Sequence, residues 1–138
     1  MSDNTSPTTA QTPEHARTAQ VAALNDNVRR GEDRQARIVM TRGVAELLAG
    51  TGTDEPARTA RSILNQAALM RAIADADIDP GDDPAGERDF GVVTFLEQRL
   101  FWKVDYYAAD GEFAYGSGAP LDPVLTTRVL TILLASEY

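Results

Sequence analysis

The chain of 138 residues contains no cysteine, one histidine and one lysine. The lack of cysteine excludes disulfides, thiolate nucleophiles and every zinc site that needs sulfur. The single histidine, His15, lies close to the N-terminus and is predicted to be a solvent-exposed residue, because a metal or acid–base site needs partners held rigidly around the ring. We therefore expect no cofactor and no resident metal ion.

Several motifs and segments are also missing. No apolar run approaches the roughly 18 residues of a membrane helix, and the start of the chain lacks the basic and apolar regions of a signal peptide. We expect a cytoplasmic protein that does not bind membranes.

Two sequence motifs of enzymes are also missing. The nucleophile motif Gly-x-Ser-x-Gly is absent, and Gly50-Thr-Gly-Thr lacks the lysine of a phosphate-binding loop. No residue is therefore assigned as catalytic.

The formal net charge is −8, which opposes binding to phosphate backbones, because nucleic-acid affinity comes largely from lysine and arginine. We expect no direct nucleic-acid binding.

The composition predicts one folded domain. The hydrophobic fraction of 43% and the charged fraction of 25% are typical of a folded domain. Apart from Met1, residues 1–13 hold no large apolar side chain, and they are predicted to be a disordered tail, which leaves one domain over residues 14–138.

The first half of the chain is predicted to alternate between helices and one strand. The spacing of Val21, Leu24 and Val28 predicts an amphipathic helix over residues 14–30, and the β-branched run 37–41 would suit a buried strand. A short helix is predicted around 44–49. A second long helix is predicted over 56–74, with one apolar face that consists of Ile63, Leu64, Ala67, Met70 and Ile73.

The second half is predicted to be a hairpin of strands 90–96 and 100–107, a short strand at 112–115 and a helix from Asp122 to the end of the chain. In the middle strand, alternation places Leu100, Trp102, Val104 and Tyr106 on the core face. The last helix is apolar around most of its circumference and should be clamped between the sheet and another element. The sum is an α+β fold in the order α-β-α-β-β-β-α, with a small, mainly antiparallel sheet of three to four strands and helices on one face.

Residues 75–89 hold seven carboxylates and one arginine and carry a net charge of −6. The spacing resembles that of a calcium-binding EF-hand loop, but Pro80 displaces Glu87 by one position and a strand follows. We expect instead a solvated acidic surface that binds a basic or polar protein partner, either by charge attraction alone or by imitating the charge of nucleic acid. A looser divalent-cation site built from several of these carboxylates is the weaker alternative. The expected partner-binding residues are Asp75, Asp77, Asp79, Asp82 and Asp83. Arg42, Arg88 and Arg99 could alternatively gather near the loop and neutralise it.

A second candidate is a polar site near the middle strand. It would comprise Glu87, Asp89, Lys103, Asp105 and Tyr107. A surface ion pair between Lys103 and Asp105 is the simpler interpretation, because an acid–base pair needs a cleft and a shifted pKa. The alternative function is a hydrolase that uses Glu87, Asp89 and Asp105 with a divalent cation. A homo-oligomer that associates through Phe101 and Tyr107 is a third possibility.

Several stretches together resemble the DUF3768 family of proteins of unknown function. They are Leu24-Asn25-Asp26 with Val28-Arg29, Val39-Met40-Thr41-Arg42-Gly43-Val44, Gly86-Glu87-Arg88-Asp89-Phe90-Gly91, Phe101-Trp102-Lys103-Val104-Asp105-Tyr106-Tyr107 and Arg128 to Tyr138. The resemblance spans about residues 20–138. It implies a bacterial, mainly alphaproteobacterial protein, and an accessory role on a mobile element such as countering host defence. It implies no reaction, and the histidine usual for the family is Arg88 here, which cannot ligate a cation.

Overall fold

The computed structural model describes residues 13–110 and 116–138. Within them lie three α-helices and four strands, which confirms the α+β class. In chain order the elements are α1 (Pro13–Arg29), β1 (Arg37–Met40), α2 (Arg42–Ala49), α3 (Glu55–Asp75), β2 (Phe90–Phe95), β3 (Gln98–Ala108) and β4 (Thr126–Leu134). Short 3-10 helices follow α3 at Pro80–Asp82 and β4 at Ala135–Glu137.

The four strands form one sheet in the order β1-β4-β3-β2. β4 is antiparallel to β3, β3 is antiparallel to β2, and only β1 is parallel to its neighbour, β4. The predicted hairpin is confirmed: Phe95 pairs with Gln98 across a two-residue turn at Leu96 and Glu97. Both turn residues have positive φ, 50° and 65°, which the right-handed twist of a tight hairpin requires.

The core lies between one face of the sheet and the three helices. The predicted core face of β3 is confirmed, because Leu100, Trp102 and Val104 are buried and Tyr106 packs at the margin. Register places Leu130 beside Val104 and Ile132 beside Trp102. The helices contribute Val28 from α1, Val44 and Leu48 from α2, and Leu69 and Ile73 from α3. The opposite face, the open sheet face, includes Phe101, Lys103, Asp105 and Tyr107 of β3 and Val129, Thr131 and Leu133 of β4.

The helix predicted from Asp122 onward is wrong, because residues 126–134 form β4 and only a 3-10 turn follows. β4 lies inside the sheet, between β1 and β3. The side chains of β4 are buried on the core face, as at Leu130, and also on the open sheet face, as at Val129. A strand of this kind reads as a continuous apolar run, which periodicity alone does not distinguish from a buried helix. The observed order is therefore α-β-α-α-β-β-β.

The predicted apolar face of α3 is correct only in its second half: Ile73 is buried and Met70 packs against the core, but Ile63 and Leu64 are 64% and 71% exposed. α3 turns polar side chains toward α2 instead. Arg61 Nε donates to the Ala49 carbonyl at 2.8 Å, and Asn65 Nδ2 donates to the Leu48 carbonyl at 2.9 Å. The last carbonyl groups of a helix need donors, and these two side chains supply them.

β1 is not the buried strand that its composition suggests. It is an edge strand, and Ile38 and Val39 are 41% and 47% exposed. The predicted strand at 112–115 falls outside the described residues, as does the predicted tail apart from Pro13, which begins α1. No helix in the described ranges is long and apolar enough to cross a membrane.

Candidate functional site

The acidic segment, residues 75–89, connects the end of α3 to the start of β2. Two of its aspartates stabilise the backbone conformation of the segment by accepting hydrogen bonds from its N–H groups. Asp79 Oδ1 accepts a hydrogen bond from Gly81 N at 2.8 Å and caps the 3-10 helix. Both carboxylate oxygens of Asp83 accept from Arg88 N at 3.1 Å, which closes a second turn. The segment therefore has a defined conformation that these side chains help to fix.

Helix α1 anchors the acidic segment at both ends. At the start, Arg29 Nη1 donates to the carbonyls of Ile73 and Ala76 at 3.0 and 3.1 Å. Toward the end, Asn25 Nδ2 donates to the Glu87 carbonyl at 2.9 Å. A buried guanidinium thus satisfies the last carbonyl groups of α3 and positions the chain as it leaves the helix.

Asp26 of α1 joins two arginines. Its carboxylate accepts from Arg29 Nη2 at 2.9 Å and from Arg88 Nε at 2.8 Å. Burial alone would raise the pKa of Asp26, but the hydrogen bonds from Arg88 and Arg29 outweigh it and hold the pKa below its ordinary value. Asp26 is therefore an ionised link between α1 and the acidic segment.

Arginine does not neutralise the five expected partner-binding aspartates, so that alternative is wrong. Within the part of the chain that the structure describes, no salt bridge joins an arginine or lysine to Asp75, Asp77, Asp79, Asp82 or Asp83. Arg88 binds Asp26, and Arg99 lies over the ring of Phe101 at 5.6 Å from its centroid. Asp75, Asp77 and Asp79 are exposed, and Asp82 and Asp83 are half-buried.

A buried polar network behind the segment was not predicted. Asn25 is fully buried, donates to Tyr106 Oη at 2.8 Å and accepts from Arg128 Nε at 2.9 Å. Arg128 Nη2 also donates to the Pro120 carbonyl at 2.6 Å, and its guanidinium lies 4.8 Å from the centre of the Tyr106 ring. Burial raises the pKa of Tyr106 to about 12 and lowers the pKa of Arg128. Asn25 falls on the same helical stripe as Val21 and Val28, and this polar residue within an apolar stripe could have indicated the network.

The second predicted site is divided between two faces of the sheet. Lys103 Nζ lies 3.5 Å from Asp105 Oδ2 on the open sheet face, and both side chains are more than 40% exposed. This is a surface ion pair, as the simpler interpretation predicted. Glu87 instead lines a cavity of about 450 Å³ against Glu14 and Thr18 of α1. The five residues do not share one cleft.

The pKa of Asp89, a member of that predicted site, lies above its ordinary value. Burial raises the pKa of Asp89, and the charges of Asp83 and Asp105 raise it further. The hydrolase hypothesis requires Glu87, Asp89 and Asp105 around one cation. Over residues 13–110 and 116–138, no three histidine or acidic side chains form a group that could hold a metal ion. A raised pKa by itself gives a carboxylate that is protonated more readily.

Comparison with known proteins gives a family and no activity. No curated protein and no solved structure matches the chain. The sequence model of a family described as "Protein of unknown function (DUF3768)" matches residues 40–137. This range includes α2, α3, the acidic segment and all of the sheet except the first residues of β1. The chain therefore belongs to the DUF3768 family.

Proposed function

We propose that this chain is a non-enzymatic binding protein that presents the acidic segment to a basic surface of a protein partner. One observation carries the proposal. Asp75, Asp77 and Asp82 have neither an ion pair nor a side-chain hydrogen bond within the described part of the chain, although two arginines lie at the ends of the same segment. These charges are available to an outside molecule.

The conformation of the acidic segment supports the same function. Asp79 and Asp83 hold its turns, and Arg29 and Asn25 attach its ends to α1. A preorganised surface loses less conformational entropy on binding than a flexible one. A partner would therefore meet an acidic surface of fixed shape.

The two arginines nearest the acidic segment, Arg29 and Arg88, pair with a carboxylate outside it, so the segment stays negative. Arg29 and Arg88 both bind Asp26, which lies on α1 and outside the segment. Clustered charge of one sign accelerates association with an oppositely charged partner, and salt weakens that effect. We expect the association rate to fall steeply as salt is added. A partner whose basic surface also binds nucleic acid would be displaced by DNA.

The test neutralises only the aspartates that have no structural bond. The variant combines Asp75→Asn, Asp77→Asn and Asp82→Asn, and leaves Asp79 and Asp83 in place because they hold the turns. A matched control combines Glu32→Gln, Asp54→Asn and Glu97→Gln, which are exposed acidic residues outside the segment. Both variants lose three negative charges, so net charge alone cannot distinguish them.

The readout is capture of a partner from lysate of the native host, followed by binding kinetics with the purified partner. We expect the segment variant to lose most of the binding and the control variant to retain it. Equal binding by both variants would discard the acidic segment as the interaction surface. An accessory role on a mobile element and an alphaproteobacterial origin remain predictions of the family resemblance.

A further inference from the structure

The outer edge of β1 offers unpaired backbone groups. Thr41 N donates to the Ile132 carbonyl of β4 at 3.1 Å, so the backbone of Thr41 faces into the sheet. N–H and C=O groups of successive residues alternate in direction along a strand, so those of Met40 and Ile38 point away from β4. Within the described ranges, the Ile38 and Met40 backbones make no hydrogen bond on that outer side. A further strand could pair there.

β1 lacks several of the features that usually protect an edge strand, although it is only four residues long and contains the charged Arg37. Its pairing with β4 is continuous over four residues without a bulge, and it contains no proline and no lysine. Ile38 and Val39 are both β-branched and are 41% and 47% exposed, one on each face of the sheet. No residue of β2, the other edge strand, is among the exposed large hydrophobic side chains. Of the two edge strands, β1 is thus the one with exposed large apolar side chains.

Arginines lie within β1 and on both sides of it, and the acidic residues next to them are Asp33 and Glu46 in the chain and Glu137, which contacts Thr41. Residues 34–45 contain three arginines and no acidic residue, in a chain whose net charge is −8. Arg34 and Arg42 flank the strand and are exposed, and neither forms a salt bridge within the described residues. A second copy of β1 would bring like charges together, which destabilises paired strands. An acidic partner segment has the complementary charge.

We propose that β1 binds an extended acidic segment of a partner protein by β-strand addition. The added strand pairs with the outer N–H and C=O groups of Ile38 and Met40, and acidic side chains at its two ends approach Arg34 and Arg42. Backbone hydrogen bonds supply much of the affinity in this mode, and side chains on alternate faces supply the specificity.

A cavity on the open sheet face supports this assignment. Val39 forms one wall of it, the remaining walls include Val129 and Thr131 of β4, and the volume is about 340 Å³. An added strand directs alternate side chains to this face. An apolar side chain beside Val39 would pack against the mouth of the cavity. This surface is separate from the acidic segment, and the inference does not depend on the function proposed above.

The experiment uses the full chain labelled for NMR and a short synthetic peptide with an alternating valine–threonine centre and a pair of glutamates at each end. We expect hydrogen exchange at the Ile38 and Met40 amides to slow on addition of the peptide. A peptide with lysines in place of the glutamates should bind at least about tenfold more weakly, because like charges repel across an interface.

Two variants and one control make the test specific. Val39→Asp places a negative charge on the strand, and Arg34→Glu with Arg42→Glu reverses the flanking charge; each should weaken binding about tenfold or more. The variant Asp75→Asn, Asp77→Asn, Asp82→Asn should bind the peptide as the parent chain does. Three results would each overturn the proposal. They are a lack of protection of the two amides at millimolar peptide, equal binding of the lysine peptide, and a dimer in sedimentation velocity that Val39→Asp abolishes.

Discussion

The Arg88 guanidinium lies against Asp26 of α1, with its Nε 2.8 Å from Oδ1 and 3.0 Å from Oδ2. Arg88 is the one basic residue of the acidic segment, and its salt bridge with Asp26 attaches the segment to α1. The same carboxylate holds the buried guanidinium of Arg29. Asp26 therefore links α1 to the acidic segment through Arg88, and it also holds Arg29, which binds the end of α3 directly.

Asp26→Asn should lower the free energy of unfolding by about 3 kcal/mol at neutral pH, because it leaves the buried Arg29 without its carboxylate partner. The pKa of Asp26 lies below its ordinary value, so its contribution is complete above the pKa of the unfolded chain. It is lost as the pH falls through the folded-state pKa.

Urea denaturation at a series of pH values measures this effect. The difference between the parent and the variant should narrow in acid, below the ordinary aspartate pKa of 3.8. Asp75→Asn is the control and should change stability by less than about 0.5 kcal/mol, since Asp75 is exposed and unpaired. Equal stability of Asp26→Asn and the parent at pH 7 would contradict the role of Asp26.

Gly91→Ala should destabilise the domain by about 1–3 kcal/mol, the range for overpacking in a tight core. A Cβ at Gly91 would lie 2.6 Å from Nε1 of Trp102, whose side chain is fully buried in the core. The chain has one tryptophan, so guanidinium unfolding followed by its fluorescence reports on this site directly. Gly118→Ala is the matched control, because nothing lies within 4 Å of its added Cβ. Identical unfolding midpoints for the two variants would refute the contact.

Replacing Leu96 and Glu97 by Asn and Gly should stabilise the hairpin by about 1 kcal/mol, because Asn-Gly adopts two successive positive φ angles at lower cost. Thermal unfolding by circular dichroism measures the gain. Glu97→Ala retains an ordinary side chain at positive φ and should show no such gain. If the Asn-Gly variant melts no higher than the parent, the turn does not carry the expected strain.

Asp89→Asn should have the opposite pH signature to Asp26→Asn. Burial raises the pKa of Asp89, so ionisation of this carboxylate destabilises the folded state. The destabilisation grows as the pH rises from about 3.8, the ordinary aspartate pKa, through the folded-state pKa. The variant should be more stable than the parent at pH 7, by less than about 1 kcal/mol after solvent screening, and equal to it near pH 3. Asp77→Asn, at an exposed position, is the control. A stability difference that grows in acid would contradict this sign.

Local sequence patterns predicted most of the elements correctly. The stripe of Val21 and Val28 predicted α1, and alternation around Trp102 gave the core face of β3. The same patterns failed for residues 126–134, because Val129 and Leu130 are both buried although they point to opposite faces of the sheet. Only its position between β1 and β3 makes this segment a strand.

The candidate site was predicted in part. The cluster of aspartates is visible in the sequence, and Asp75, Asp77 and Asp79 are exposed as expected of a binding surface. Their lack of arginine partners could not be predicted. It depends on Asp26, which is distant in the chain and binds both Arg29 and Arg88.

The sequence by itself determined helices α1 to α3, the hairpin and the amount of negative charge in the acidic segment, because these follow from periodicity, turn chemistry and composition. The tertiary structure decided which charges are neutralised and which strand lies at the edge. Ion pairs and strand neighbours join residues that are far apart in the chain, and local spacing does not encode those partners.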